Sequence, residues 1–273
     1  MATMTTHHRL DTASGRLHVA EWGRGRPIVM VHGLFTSSTS FENLLARLPE
    51  GSRGLAIDLP GFGESTPAPG FAPTWDGFAR AVTDAADALA LESFDLVGHS
   101  MGGGIAVVVA ARQPERVRRL VLVDAAAFPF DVPFKARLPL VPLIGEAVFR
   151  LYGEGMFTDY FANDVFEDSA RMDKEKVHAW FEVFDASRGH ALAALRSTAD
   201  PGPVARSVGG IRAETLVVWG ERDAVLPVAH ARRLEAEIDG AALHVVPGCG
   251  HAPIEERPDE ACPAIVAFLR RGE

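Results

Sequence analysis

Residues 95–114, DLVGHSMGGGIAVVVAARQP, contain the junction on which the fold turns. An apolar pair, Leu96-Val97, is cut off by Gly98-His99-Ser100-Met101-Gly102, and a second apolar run follows at once. A short buried strand passing directly into a buried helix is a building unit of a sheet covered on both faces. A turn there needs a glycine, but not a serine set between two. Gly-x-Ser-x-Gly at such a junction is the nucleophile-elbow pattern, a strained turn that pushes the serine Oγ clear of the backbone. Glycines on either side let the strand and helix backbones pass closely. The helix starting beside Met101 aims its positive dipole end at the same point. Ser100 is therefore read as a nucleophile.

The same strand signal recurs outward from this junction. "PIVMVHG", "RGLAIDLPG", "VRRLVLVDAA", "AETLVVWGERD" and "ALHVVPGCGH" are short apolar, β-branched runs, most of them ended by a turn residue. Helical patterns lie between most of them: "SFENLLARL", "TWDGFARAVTDAADALAL", "VAHARRLEAEI" and "PDEACPAIVAFLRR". Near-continuous apolar strands alternating with helices predict an α/β fold, a mostly parallel twisted sheet with helices on both faces. "HHRLDTASGRLHVAEWG" reads as a hairpin turning at Ser14-Gly15, an antiparallel edge to that sheet.

One region breaks the alternation. Residues 125–206 carry no strand signal, are punctuated by proline, and hold 9 of the 16 Phe, both Tyr and Trp180. That is too long for a loop within a compact domain. It is read as an inserted helical cap, with residues 1–124 and 207–273 forming the core. Phe128, near the start of this region, is taken as a substrate-pocket residue, with other aromatics building the cap's own small core.

Composition narrows the function. A net charge of -9 across 273 residues gives no basic footprint, so nucleic acid and anionic membrane surfaces are excluded as partners. The N-terminal "MATMTTHHRLDTASG" has no apolar core of a secretory signal, and no apolar run reaches the roughly 18 residues of a membrane span. The two cysteines, Cys249 and Cys262, do not make a disulfide framework, and a cytoplasmic location is expected. Cys249 is read as a small buried apolar residue. The ten His are scattered without zinc-site spacing, and no phosphate-loop pattern appears, so neither metal nor cofactor is expected.

Functional groups of an open α/β sheet gather at the carboxyl ends of its strands. Those ends carry His32-Gly33-Leu34-Phe35, Asp58, Ser100, Asp124, Asp223 and His251: a nucleophile, several acids and a base. The chain resembles the α/β-hydrolase superfamily in more than the elbow. "VHGLFTSS" is similar to its His-Gly oxyanion loop, "DLPGFGES" to its Asp-x-Pro-Gly-x-Gly-x-Ser stretch, and "GERDAVLP" and "GCGHAPIEERPD" to its acid and histidine loops. The matches run in the family's order from about Ile28 to Pro258, and the cap falls after the sixth of the strands read here.

Among the histidines after Asp223, His230 sits in a helical pattern and His244 in a strand. His251 alone lies in a Gly-flanked loop, and an imidazole there can take and return the serine proton. The resemblance assigns the acid to Asp223, which also fits the order Ser, Asp, His. Asp124 stays open as a rival, since some members of the superfamily carry their acid at that strand end. Asp58 is read as organising a loop, and His32 and His99 as bracing the loops beside the site. By the family pattern the oxyanion hole belongs to the Leu34 and Met101 N–H groups, and Phe35 walls the pocket.

Ser100 bears on the reaction, because dehalogenases and epoxide hydrolases of the superfamily use aspartate there. The reading is a serine hydrolase of the carboxylesterase type, acting on small-molecule esters with small to medium apolar acyl or aryl groups. Carbon–carbon bond hydrolases of ring-cleavage products share the layout, though many carry tryptophan where Ala252 follows the histidine. A ligand receptor, a lyase and a perhydrolase side activity stay open, and the oligomeric state is not specified.

Overall fold

The computed structural model describes residues 5–131 and 137–271; expectations touching 1–4, 132–136 and 272–273, Phe134 among them, lie outside the described residues. Its strands are β1 (Thr6–Thr12), β2 (Gly15–Gly23), β3 (Arg26–Val31), β4 (Ser52–Ile57), β5 (Thr66–Pro67), β6 (Phe94–His99), β7 (Val117–Val123), β8 (Glu214–Gly220) and β9 (Ala242–Val246). They form one nine-stranded sheet in the order β1-β2-β4-β3-β6-β7-β8-β9, with β5 paired to β2. From β4 to β9 every pairing is parallel, while β2 is antiparallel to β1, β4 and β5. The first hairpin pairs Thr12 with Gly15, so it turns at Ala13-Ser14.

Side chains of the central strands alternate between two cores, as the two-residue period of a strand requires. Val29, Val31, Leu96, Leu120 and Leu122 face the larger core, against Phe78 and Val82 of one helix and Ile105 and Val108 of another. Ile28, Met30, Val97, Val121 and Val123 face the other core, against Phe41, Leu44, Ile265 and Phe268. Because both faces are buried, these strands read as unbroken apolar runs.

The helices are α1 (Glu42–Leu45), α2 (Trp75–Ala88), α3 (Met101–Arg112), α4 (Ile144–Leu151), α5 (Glu154–Tyr160), α6 (Lys174–Ala186), α7 (Arg188–Thr198), α8 (Gly202–Ser207), α9 (Ala229–Glu237), α10 (Pro253–Glu256) and α11 (Pro258–Leu269). Helices α4 to α8 all lie between β7 and β8, and no strand occurs there among the described residues. The helix read from "SFENLLARL" is instead a 3-10 turn, Ser38–Phe41, followed by the four residues of α1. Ser37 accepts the Thr39 N–H and so starts the tighter turn.

Asp58, 2% exposed, ties the loops after β3 and β4 to β2. Its carboxylate accepts the Ser38 N–H at 2.6 Å, the Glu64 N–H at 2.9 Å and the His18 Nδ1–H at 2.8 Å. The hydrogen bond that His18 donates to Asp58 raises His18 above the 6.5 of a free imidazole, against the effect of burial. Burial pushes Asp58 up, but His18, His32 and the two N–H groups more than offset it and leave it below its ordinary 3.8.

The linkage has two signs. Stabilisation through Asp58 is present above pH 3.8 and is lost as pH falls through its lower folded pKa. Stabilisation through His18 is full below 6.5 and is lost as pH rises through its higher folded pKa. The Tm advantage of the wild type over His18→Gln is therefore expected to peak near pH 5–6 and shrink steadily above it. Thermal melts of both proteins across the pH range check this; an advantage that grows with pH contradicts it.

Candidate active site

The elbow is built by close packing. A Cβ on Gly98 would lie 2.4 Å from the Gly102 carbonyl oxygen, and one on Gly102 would lie 2.1 Å from that of Val31. Only hydrogen fits, so β3, β6 and α3 meet backbone to backbone. Gly102→Ala is expected to cost about 3 kcal/mol, since backbone and not a flexible side chain must give way. A drop in the urea midpoint at constant m-value would register it; an unchanged midpoint would mean the junction is looser than drawn.

Ser100 takes φ 54 and ψ -118, a left-handed conformation that strains a residue with a Cβ. It is held there on both sides. Its N–H donates to Val123 at 2.9 Å, and its carbonyl accepts the N–H groups of Gly103, Gly104 and Ala126.

His251 lies in the loop after β9 and is 4% exposed. Its Nε2 is 2.9 Å from Ser100 Oγ, and its Nδ1 is 2.7 Å from Asp223 Oδ2. A carboxylate accepts, so Nδ1 carries a proton and Nε2 is free to accept the serine hydroxyl. Asp223 Oδ1 accepts the Val225 and Leu226 N–H groups, each at 2.8 Å, which fixes the carboxylate after β8. Burial pushes the Asp223 carboxyl up; the adjoining imidazole and those two N–H groups outweigh it and hold the group below the ordinary range. The arrangement can move one proton off Ser100 while keeping the imidazole oriented.

Asp124, at the end of β7, is fully buried and strained at φ 42. It is not bonded to His251, whose two nitrogens serve Asp223 and Ser100; its Oδ1 accepts the Gly220 N–H at 2.9 Å.

The flanking histidines join loops. His32 donates from Nδ1 to the Gly33 carbonyl and accepts the Leu59 N–H at Nε2, so it is a neutral brace between the loops after β3 and β4. Burial holds it below the usual imidazole value. His99 donates from Nε2 to the His251 carbonyl at 2.8 Å, and burial, with His251 beside it, pushes it down to about 3.

Met101 begins α3, so its N–H has no partner within the helix, and Leu34 is half-buried on the loop whose Gly33 approaches Ser100. Phe35 stands at φ 67 with its ring against Phe149, Phe157, Tyr160 and Phe184 of the helical segment. Phe128 is placed elsewhere: it is 1% exposed, packs edge-on against His230, and lies under the Arg233 guanidinium of α9. Its backbone leaves β7 on the α9 side of the sheet, which the sequence alone does not show.

Two sets of contacts were not foreseen. The His251 N–H donates to Val165 in the helical segment at 2.7 Å. Buried Glu256 accepts N–H groups from Gly250 at 2.7 Å and Asp168 at 2.8 Å, joining the histidine loop to the same segment. Farther along, Lys176 of α6 meets Glu42 at 3.0 Å and Glu255 at 3.2 Å, while Trp180 Nε1 donates to Thr39 at 2.8 Å. Burial pushes Glu255 up to about 7 despite Lys176. The acidic pair following His251 in "GCGHAPIEERPD" was the available signal, but only the tertiary fold gives it partners.

Among the described residues two groups have donor atoms close enough for a cation. In His99, Asp124 and His251, both nitrogens of His251 and the Nε2 of His99 are already engaged. In His7, His18 and Glu64 the two rings stack at 16° with centroids 5.1 Å apart, and His7 Nδ1 and His18 Nε2 are already hydrogen-bonded to each other at 2.8 Å. Both thiols are free and buried, and burial raises them, Cys262 to about 12. No helix among the described residues is long and apolar enough to cross a membrane.

A family model described as alpha/beta hydrolase fold matches residues 26–258. The chain belongs to the alpha/beta hydrolase fold family. It is 32% identical to 2-hydroxy-6-oxo-2,4-heptadienoate hydrolase of Pseudomonas putida F1, over 84% of this chain and 83% of that one. It is 31% identical to 2-hydroxymuconate semialdehyde hydrolase of Pseudomonas sp. CF600, over 86% and 84%. Among solved structures, a thermophilic esterase from Thermogutta terrifontis superposes with a TM-score of 0.81 at 27% identity, over 97% of this chain and 98% of that one. This member of the alpha/beta hydrolase family is a hydrolase.

Proposed function

We propose that this hydrolase cleaves a carbon–carbon bond in 2-hydroxy-6-oxo-2,4-dienoates, with Ser100 as nucleophile, His251 as base and Asp223 as its orienting acid. The carrying observation is the 32% identity to a 2-hydroxy-6-oxo-2,4-heptadienoate hydrolase over most of both chains. Such a substrate contains no ester or amide, so adding water must break the C5–C6 bond beside the keto group. The serine–histidine–aspartate geometry supports the same chemistry.

The reaction balances with water alone. The 2-hydroxyl proton moves to C5, turning the dienol into a ketone whose C5 can leave. Ser100 Oγ attacks C6 while His251 Nε2 takes its proton, and the oxyanion rests on the Leu34 and Met101 N–H groups. Collapse breaks C5–C6; the electron pair runs to the C2 carbonyl oxygen, which is protonated to regenerate a dienol. Water then releases the acyl group from Ser100 as a carboxylic acid. Helices α4 to α8 act as a cap over this site, and Phe35 with the rings around it forms the wall on the acyl side.

A second reading, hydrolysis of apolar esters by the same residues, is favoured by Ala252, which follows His251 where many ring-cleavage hydrolases carry tryptophan. The deciding experiment gives the enzyme a 6-methyl 2-hydroxy-6-oxo-2,4-dienoate and p-nitrophenyl esters side by side. Bleaching of the dienolate colour at the higher kcat/KM supports carbon–carbon cleavage. Ester turnover with the dienoate untouched replaces it with the second reading.

A further inference from the structure

The Asp124 carboxyl is fully buried yet has one oxygen, Oδ2, with no hydrogen-bond partner, while Oδ1 is spent on the Gly220 N–H. An ionised carboxylate could not stay in that position. A buried anion needs a cation or several donors, and Asp124 has one N–H. The ionisable groups around it are Asp223, His251, His99, Glu256 and Cys249, which bring no fixed cation and at least one further carboxylate. An oxygen of Asp124 lies within 4.8 Å of ring nitrogens of both His99 and His251, so the group sits directly behind the catalytic array. Asp223 Oδ2 is 2.7 Å from the same imidazole, and two carboxyls crowded around one ring, with no fixed cation beside them, do not both ionise. His251 already charges Asp223 through its Nδ1–H, which leaves Asp124 to keep the proton.

We infer that Asp124 is a neutral carboxylic acid that donates its Oδ2–H to Asp223, a positioning residue that keeps Asp223 ionised and aligned on His251. Burial and the Asp223 charge both push Asp124 well above the usual carboxylate range, in the same direction. The bonding is then complete at both ends. Asp124 Oδ1 accepts from Gly220 and Oδ2–H donates to Asp223, whose oxygens also take His251, Val225 and Leu226. The acid therefore comes as a pair drawn from two strand ends, one member charged and one neutral. This also accounts for the left-handed backbone of Asp124, which turns its side chain back toward the β8 end instead of onward with the chain.

The inference rests on the proposed roles of Ser100, His251 and Asp223, and the test separates the two. Infrared difference spectra of wild type against Asp124→Asn need no substrate. A protonated-carboxyl band at pH 7.5, lost in the variant, is expected; its absence overturns the inference. The rate of Ser100 labelling by a fluorophosphonate supplies the second readout. Asp124→Ala should label about 30-fold more slowly, the effect of one lost hydrogen bond to a charged group.

Asp124→Asn restores a donor toward Asp223 that cannot ionise, so it should recover labelling to within about fivefold, with the acid limb of the pH profile unmoved. If Asp124 were instead a second anion, the amide would remove a negative charge near the imidazole and shift that limb down by about one unit or more. That outcome overturns the inference even if the alanine variant fails to fold. Wild type that does not label at Ser100 refutes the triad reading, and the infrared band still decides the state of Asp124.

Discussion

Ser100→Ala is expected to lower kcat by about 10⁵- to 10⁶-fold on whichever substrate the wild type accepts, with KM little changed. The size follows from the geometry. The Oγ is the atom 2.9 Å from His251 Nε2, and alanine leaves the imidazole with nothing to deprotonate. Residual rate above water would come from the oxyanion donors and from binding, which the substitution leaves in place. The folded state should survive, because alanine keeps the Cβ and the backbone hydrogen bonds that hold φ 54 stay in place. Single-turnover kinetics with melting curves on the same sample check both halves. A variant that keeps more than about a hundredth of wild-type kcat would remove Ser100 from the chemistry.

Asp223→Asn should cost about 10⁴-fold in kcat, for a reason specific to the bonds around it. Oδ1 accepts two backbone N–H groups, so the oxygen of an asparagine amide must stay there. The amide nitrogen then faces His251 Nδ1, where Asp223 Oδ2 was, and as a donor it forces Nδ1 to accept. The ring proton moves to Nε2, the nitrogen that must be empty to receive the Ser100 proton. The base is present, correctly placed and in the wrong tautomer. The expected sign is loss of kcat without loss of Tm, partly recovered as pH rises. Asp124→Asn serves as the control, since its loss is expected to be only a few-fold. Equal losses from both would mean the two carboxyls share the work.

The core strands were legible because each, buried on both faces, writes itself as an unbroken apolar run. Thr66–Pro67 was not, since two residues with a proline carry no periodicity and owe their pairing to β2. The turn at Ser100 was legible because its glycines are neighbours in sequence, and the close approaches that require them are made by its own strand and helix and by β3. The bonding of Asp124 was not, because it depends on Gly220 and Asp223, about a hundred residues away. Phe128 shows the same limit: nothing local says which side of the sheet the chain takes on leaving β7.

The backbone bond from His251 to Val165, reinforced by Glu256, restricts how the site can admit a substrate. A gate that swung out as one rigid piece would drag the base away from Ser100 and disarm it. If the helical segment covers the site as proposed, residues 161–168 are the fixed jamb of its doorway. Any leaf that moves would have to be hung elsewhere in the helical segment; among the described residues its large exposed apolar side chains, Leu143, Leu151 and Met156, lie in and beside α4 and α5. On the proposed function, an opening of that kind would admit substrate with the catalytic array kept assembled, open and armed at once.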